Sequence, residues 1–301
     1  MTAPVTAVVL TLNEELNLRA CLESVACWCN QIVVVDSGSA DGTVDIAREF
    51  SANVLVHDYV DHASQWAWTL ENAPIRSPWI LALDADNRVA AGLRAEIEEA
   101  LAADDGNVDG YYVAHHHLFR NGRIRGLKGS WLRLVRTGRA RVDTTELVDV
   151  RFAVEGLTRA LRGEIIESNQ KELSIDFWID KHQKFAERMA VEEVLRGAKA
   201  LIWELEPQLL GDPEQRMLWL KRAWYRMPLY TRPLAYFFYR YFLRLGFLDG
   251  RNGFVYHALQ AFWFRLVVDI KIAELRRKLE CGETSVQALL DTVRPLEASH
   301  V

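Results

Sequence analysis

The sequence predicts an α/β protein built on a mixed, mainly parallel sheet, and two observations carry that expectation. First, two apolar runs, Gln31-Ile-Val-Val-Val-Asp36 and Trp79-Ile-Leu-Ala-Leu-Asp84, each end abruptly in a carboxylate. Continuous apolar runs of this length read as strands covered on both faces, as parallel strands are. Second, segments with helical and turn signals lie between the runs, so strand and helix alternate along the N-terminal 90 residues. That alternation implies a Rossmann-like parallel sheet with helices on both sides.

The first strand is expected over Val5–Leu10. It leads into Thr11-Leu-Asn-Glu-Glu15, where Asn13 suits a helix N-cap and the glutamates suit the first helical turn. The second strand runs into Ser37-Gly-Ser-Ala-Asp-Gly-Thr43, whose two glycines mark turns, and Thr43 suits the cap of a helix over Val44–Phe50. A short strand at Asn53–His57, a helix at about Ala63–Asn72 and a strand at Trp79–Leu83 complete the half. Asp84 and Asp86 are two residues apart, so on an extended chain both face the same side. Open α/β sheets bind ligands beyond the carboxyl ends of their strands. Two hard oxygen ligands at that edge suit Mg2+ or Mn2+, which suits a diphosphate in turn. Asp36, at a neighbouring strand end, is placed to accept hydrogen bonds from a ribose or a base edge. Alone, Asp84-Ala-Asp86 reads first as a strand followed by a solvated acidic turn.

These residues, in this order, resemble the nucleotide-sugar domain of glycosyltransferase family 2, with its GT-A fold. The matching pieces are Leu10-Thr-Leu-Asn-Glu-Glu15, Val33-Val-Val-Asp-Ser-Gly-Ser39 with Asp41-Gly-Thr43, and Leu83-Asp-Ala-Asp86. The similarity is nearest to the branch of bacterial lipopolysaccharide-core glucosyltransferases and related cell-surface polysaccharide enzymes. The resemblance implies that Leu12, Asn13, Glu14, Asp36, Ser37 and Gly38 line a nucleotide, with UDP the commonest, and that Asp84 and Asp86 address metal and donor. Relatives often carry Gln-x-Asn before the fourth strand. This chain has Gln65-Trp-Ala67, which keeps Gln65 as a donor-site candidate and lacks the asparagine.

The middle of the chain is expected to hold the acceptor side. Gly110–Phe119 and Gly129–Arg136 read as strands, with Arg120-Asn-Gly-Arg123 a turn. His115 and His117 share a face, and with no third ligand at suitable spacing they read as solvated or hydrogen-bonded strand histidines. Arg133 and Arg136 face phosphate or the surface. Asp143-Thr-Thr-Glu-Leu-Val-Asp149 is a carboxylate-rich loop where relatives place the general base, often within Val-His-Glu. Here Glu146 and Asp149 are the candidates, Glu146 first. Ser174–Phe185 resembles the family segment flanking the acceptor, and Lys181 or His182 would neutralise a leaving diphosphate. The alternative is an amphipathic helix with both side chains on its wet face.

Composition narrows the class. The chain has 301 residues, half of them hydrophobic, enough for a sizeable core and an extra subdomain. A net charge of -5 argues against a nucleic-acid binder. Four cysteines include one close pair, Cys27 and Cys29, without the second pair zinc needs, so reduced core thiols are expected. Signal-peptide features are missing from residues 1–10, and no apolar run approaches the roughly 18–20 residues of a membrane span.

The charge is unevenly spread. Between Gln215 and Arg244 lie seven basic residues, Arg216, Lys221, Arg222, Arg226, Arg232, Arg240 and Arg244, with ten aromatics and no carboxylate. Pro228 and Pro233 divide this stretch into helix, connector and helix, and a second aromatic-rich helix is expected over Gly253–Glu280. Basic side chains among Trp, Tyr and Phe make a segment that lies in the headgroup region of an anionic membrane. A helical core and a homodimer interface are the competing readings. Gly246-Phe-Leu-Asp-Gly250 before an aromatic helix resembles the C-terminal part of the same enzymes.

The expectation is therefore a GT-A catalytic domain over 1–212, divided near residue 90 into donor and acceptor halves, and a membrane-interface helical region over 213–301. It would be a cytoplasmic enzyme held peripherally on the inner face of the cytoplasmic membrane. With Mn2+ or Mg2+ it would transfer sugar, with inversion, from a nucleoside diphosphate to a lipid-linked or membrane-anchored glycan. A polyprenyl phosphate acceptor is the runner-up and would need no base. An inactive nucleotide-binding scaffold is the third reading.

Overall fold

The computed structural model describes residues 2–124, 129–211 and 213–293. It divides into two compact units. One runs to Thr144 and includes Val150–Ser174, and the other comprises Thr145–Asp149 and the chain from Ile175.

The first unit is an α/β layer structure. Its strands are β1 (Ala3–Thr11), β2 (Cys29–Asp36), β3 (Asn53–Val56), β4 (Trp79–Asp84), β5 (Asn87–Val89), β6 (Val108–Phe119), β7 (Gly122–Arg123), β8 (Gly129–Arg136), β9 (Ala140–Val142), β10 (Phe152–Val154) and β11 (Leu157–Glu167). The main sheet has the order β3-β2-β1-β4-β8-β6-β11-β5. The pairs among β3, β2, β1 and β4, and the β6–β11 pair, are parallel, whereas β8 and β5 run antiparallel to their neighbours. This is the mixed, mainly parallel sheet the sequence predicted.

The apolar runs work because successive side chains point to opposite faces and both faces are covered. From β1, Val5, Ala7 and Val9 join a core with Leu18 and Leu22 of α1 (Leu18–Glu23), Ala47 of α2 (Thr43–Glu49), and later Leu93 and Ile97. Val8 and Leu10 join a core with Ala63 and Trp66 of α3 (His62–Asn72) and with Val142 and Phe152 of the β9–β10 hairpin. Leu93 and Ile97 belong to α4 (Ala91–Ala102).

Several local expectations are corrected. Asn13 caps no helix. It sits at φ +53°, and α1 begins only at Leu18. Asn tolerates the left-handed region and bonds through its side chain there, as Asn13 does to Ala40. Thr43 is the first residue of α2, not its cap, because its hydroxyl is committed to Asp41. Asp61 caps α3, accepting from the Ser64 amide at 2.7 Å. Cys21 and Cys29 are buried thiols, but Cys27 and Cys281 are exposed, and all four are free.

The second unit is helical, with α5 (Ile175–Gly197), α6 (Pro213–Tyr225), α7 (Thr231–Phe238), α8 (Gly250–His257), α9 (Phe264–Glu280) and α10 (Val286–Val293). A π-turn over Ala258–Trp263 joins α8 to α9. Its core sets Ala186, Ala190 and Val194 of α5 against Phe264, Val268 and Ile272 of α9, with Leu147 and Leu289. The boundary expected at residue 212 thus falls inside this unit. Asp212 itself and residues 294–301 lie outside the described residues. Three of the seven basic residues of 215–244 are enclosed: Arg232 pairs with Glu193 and Asp269, Lys221 with Glu146 and Glu192, and Arg240 is buried.

A chain ending at Gly211 should keep α5 while losing its apolar partners on α9. It should aggregate or bind a hydrophobic dye, whereas a chain ending at Ser174 stays soluble. Equal solubility and melting temperature for the full chain and the chain ending at Gly211 would refute this packing role.

Candidate active site

Parallel registry brings the conspicuous carboxylates to one edge. β1 pairs Thr11 with Asp36 of β2 and Leu10 with Asp84 of β4, so the three strands end together. Carboxyl ends of strands are where α/β sheets bind ligands.

Asp36 is buried and saturated. One oxygen accepts from Thr11 Oγ1 at 2.8 Å and Ser39 Oγ at 2.5 Å, and the other from the Gly38 and Ser39 amides at 3.0 and 2.7 Å. Gly38, at φ +84°, supplies the left-handed turn this wrapping needs. The following loop is stitched to the β1 loop. The Asn13 amide donates to Ser39 Oγ, the Ala40 amide to Asn13 Oδ1, and the Glu14 amide to Thr43 Oγ1, at 2.7–2.8 Å. The Asp41 carboxylate accepts from the Thr43 and Glu15 amides. Burial pushes Asp41 upward, but these donors outweigh it and hold it below the ordinary carboxylate range.

Glu14 is held from one side by Lys171 Nζ at 2.5 Å and from the other by Asn17 Nδ2 at 2.7 Å. Asn17 also accepts from the Gln170 amide and donates to Asn169, tying the β1 loop to residues 169–171. Leu12 is exposed beside them. Gln65 donates to Ser37 Oγ at 3.0 Å and shares a 2.7 Å bond with His57 Nδ1, and His57 stacks on Trp68. Gln65 is buried in these contacts, so it orients Ser37.

Asp84 ends β4, but Asp86 lies in the turn before β5, so the extended-chain geometry holds for Asp84 alone. His62 Nε2 lies 2.9 Å from Asp84 Oδ1, and Arg133 Nη2 lies 3.4 Å from Oδ2. Burial pushes Asp84 up, yet His62 and Arg133 hold it well below the usual carboxylate range. Asp86 accepts from the side-chain amides of Asn87 at 2.8 Å and Asn169 at 3.1 Å, neutral donors that help fix its orientation. Among the described residues, no group of three or more His, Cys, Asp or Glu side chains forms a closed metal cage. Two oriented carboxylates do fit Mg2+ or Mn2+, which take one or two from a protein and complete their shell with phosphates and water. His62, Asn17, Asn169 and Lys171 escaped sequence reasoning. Only His62 left a trace there, directly behind a capping aspartate.

The strand histidines are enclosed. His117 bonds Glu167 at 3.2 Å, His116 Nε2 lies 3.1 Å from Glu164, and His115 meets Trp131 edge-on. Burial drives His117 down, but Glu167 and Glu172 outweigh it and raise its pKa.

The remaining candidates belong to the helical unit. The Glu146 side chain is 0% exposed, with Lys221 Nζ 2.6 Å from one oxygen and Arg196 3.5 Å from the other. Glu192 shares Lys221 and Arg196 at 2.7 and 2.9 Å. Burial pushes Glu192 up, and those two cations hold it below its ordinary value. The Asp149 side chain is 60% exposed. His182 is buried and so lies off the wet face. Its Nδ1 lies 2.8 Å from the Trp178 carbonyl, its ring stacks on Trp178 at 3.6 Å, and Phe264 closes over it. Lys181 rests over the Phe185 ring.

Comparison with known proteins meets this geometry. Residues 6–160, just over half of the 301, match the family described as glycosyl transferase family 2. A lipopolysaccharide core biosynthesis glycosyltransferase, LpsC of Rhizobium meliloti (strain 1021), is 29% identical over 269 residues, covering 86% of this chain and 90% of LpsC. A PGL/p-HBAD biosynthesis glycosyltransferase of Mycobacterium bovis (strain BCG / Pasteur 1173P2) is 35% identical over 95 residues, 29% of this chain and 37% of that one. Among solved structures, S. aureus TarS 1-349 aligns over 94% of this chain and 92% of its own, at 15% identity and a TM-score of 0.43. The family match takes in β1, β2, β4 and the carboxylates at their ends, and this chain belongs to glycosyl transferase family 2.

Proposed function

We propose that this glycosyltransferase moves a sugar from a nucleoside diphosphate to a hydroxyl of a lipid-linked or membrane-anchored glycan, in the assembly of lipopolysaccharide core or a related cell-surface polysaccharide. The observation that carries the donor half is the registry that sets Thr11, Asp36 and Asp84 at one strand edge, with Asp86 in the next turn. The similarity to LpsC along most of both chains supports the acceptor class.

In this reading Leu12 offers an apolar face to the base, while the braced 11–15 and 36–43 loops form the floor of the nucleotide site. UDP is the leading nucleotide. Asp84 and Asp86 would hold Mg2+ or Mn2+, which supplies neutralising charge to the diphosphate when bound. The acceptor oxygen bonds to the anomeric carbon as the bond from that carbon to the β-phosphoryl oxygen breaks. Attack from the opposite face inverts the centre, and the nucleoside diphosphate leaves. A carboxylate takes the acceptor proton. Between the two candidates we favour Asp149 as the base, because Glu146 is sealed in an ion pair while the Asp149 side chain reaches solvent. Glu146 instead anchors Thr145–Asp149 to the helices.

The helical unit supports a peripheral membrane site. Leu234, Phe238 and Phe242 make an exposed stripe along α7 and the π-turn after it, with Leu243, Leu245, Phe247, Leu248 and Phe254 exposed nearby. Exposed apolar surface this dense marks an interaction site, and Arg244 and Arg251 beside it suit anionic headgroups. Among the described residues no helix is long and apolar enough to cross a membrane. With three basic residues enclosed, aromatic insertion carries more of the attachment than charge.

Three outcomes test the proposal. Asp86→Ala should abolish transfer and weaken Mn2+-dependent nucleotide-sugar binding while leaving the circular dichroism spectrum intact, since the apolar part of β4 is untouched. Substantial activity in chelator-treated buffer would refute the metal role. Asp149→Asn should slow transfer roughly 100- to 10,000-fold with donor affinity unchanged. Glu146→Gln should instead lower the unfolding free energy by about 2 kcal/mol, since it weakens a buried charged bond. A normal rate for Asp149→Asn places the base elsewhere. Finally, Phe242→Ser with Phe247→Ser should abolish co-sedimentation with anionic liposomes and leave nucleotide binding unchanged, and high salt should release the native protein only in part. Unchanged sedimentation of the double variant would return the aromatic block to a dimer interface.

A further inference from the structure

Among the described residues, Arg133 is a strand arginine next to Asp84 whose guanidinium is left incomplete. It lies on β8, which pairs antiparallel with β4 through Leu81–Leu134, so Arg133 is displaced toward the carboxyl end of β4. Its side chain is 10% exposed. Its single bond is the long 3.4 Å contact to Asp84 Oδ2, and Nε and Nη1 are buried without hydrogen-bond partners. His115 of β6, within electrostatic reach of Arg133, is buried with Nε2 also unpartnered. Burial and the Arg133 charge pull His115 down to about 3, so it is a neutral ring that offers one N–H.

Arg136, three residues along the same strand, shows what a structural arginine looks like here. It donates to Asp104 at 2.8 and 2.9 Å and to the Val108 carbonyl, and stacks on Trp79 at 4.5 Å. A guanidinium cannot shed its proton. Buried donors without acceptors are costly, and native structures rarely keep several together unless something else completes them. The planar fork of Arg133 matches two oxygens of one phosphoryl or carboxylate group. The cations expected for that task, Lys181 and His182, are engaged with Phe185 and Trp178.

We propose that Arg133 forms an oxyanion subsite for the donor nucleotide sugar. The inference rests on the donor reading above. Two sources share the chemistry: a phosphoryl oxygen of the diphosphate, or a carboxylate on the transferred sugar. The first would also place fixed positive charge where negative charge grows as the glycosidic oxygen departs.

The test uses the full chain with Mn2+ and calorimetric titration of UDP, GDP, dTDP and the matching monophosphates. UDP-glucose and UDP-glucuronate are compared as well. Arg133→Met should weaken diphosphate binding about tenfold or more, the scale of one charged bidentate contact, and shift monophosphate binding less than about twofold. The ligand-free melting temperature should change little, because removing the unpaired buried donors offsets the lost 3.4 Å contact to Asp84. Arg133→Lys keeps charge without the fork, so it should fall between the two and covers the case in which the methionine variant misfolds. If diphosphate affinity holds and only the uronate donor is lost, the sugar carboxylate is the source. Unchanged affinity for every donor, or equal losses for mono- and diphosphate, would overturn the subsite. Wild-type protein that binds none of the three nucleotides would instead refute the donor reading, and the subsite with it.

Discussion

Carboxylates at strand ends are kept in place by the backbone of neighbouring loops, and the donor edge depends on that constraint. A parallel sheet delivers Asp36 and Asp84 to one rim, but a rim of anions repels itself unless each charge is given donors. Here Asp36 is wrapped by its own turn and by Thr11, while Asp41 and the Asn13 side chain cross-brace the two loops. Asp84 is balanced by His62 and Arg133, and Asp86 is oriented by neutral amides. The division is chemical. The first carboxylate organises backbone, and the other two are oriented by side chains.

The helical unit handles charge in the opposite way. Glu146, Glu192, Lys221 and Arg196 form one enclosed network, and Arg232 with Glu193 and Asp269 forms another. Breaking either leaves a buried charge unpaired, which costs about 3–5 kcal/mol. Such networks specify one arrangement of helices more than they add stability. They also explain how an apparently polybasic stretch keeps only part of its charge at the surface.

Exposed apolar side chains and enclosed cations occur in the same stretch because the helices partition by face. Leu234 and Phe238 on α7 point outward, while Arg232 and Pro233 turn inward. In the membrane-bound reading proposed above, buried apolar area would dominate the attachment, which would persist when salt screens the charge term.

The strands of the N-terminal half, the two acidic strand ends and the family were legible in the sequence, because each is a short-range pattern: an apolar run, a turn and a carboxylate within a few residues. Loop conformations were not. Asn13 and Thr43 carry ordinary capping chemistry, and only the partner loop, about 26–29 residues away, diverts their side chains to cross-links. Asn17, Asn169 and Lys171 join the site across more than 150 residues of chain, a contact no local pattern encodes. An amphipathic helix was one of two readings of residues 174–185, and placing His182 in the core required its partner α9. Composition counted seven basic residues and could not say which met carboxylates from elsewhere. Sequence therefore determined the elements and the chemistry at their ends. Tertiary structure decided which charges were neutralised, because pairing depends on distance in space and not on distance along the chain.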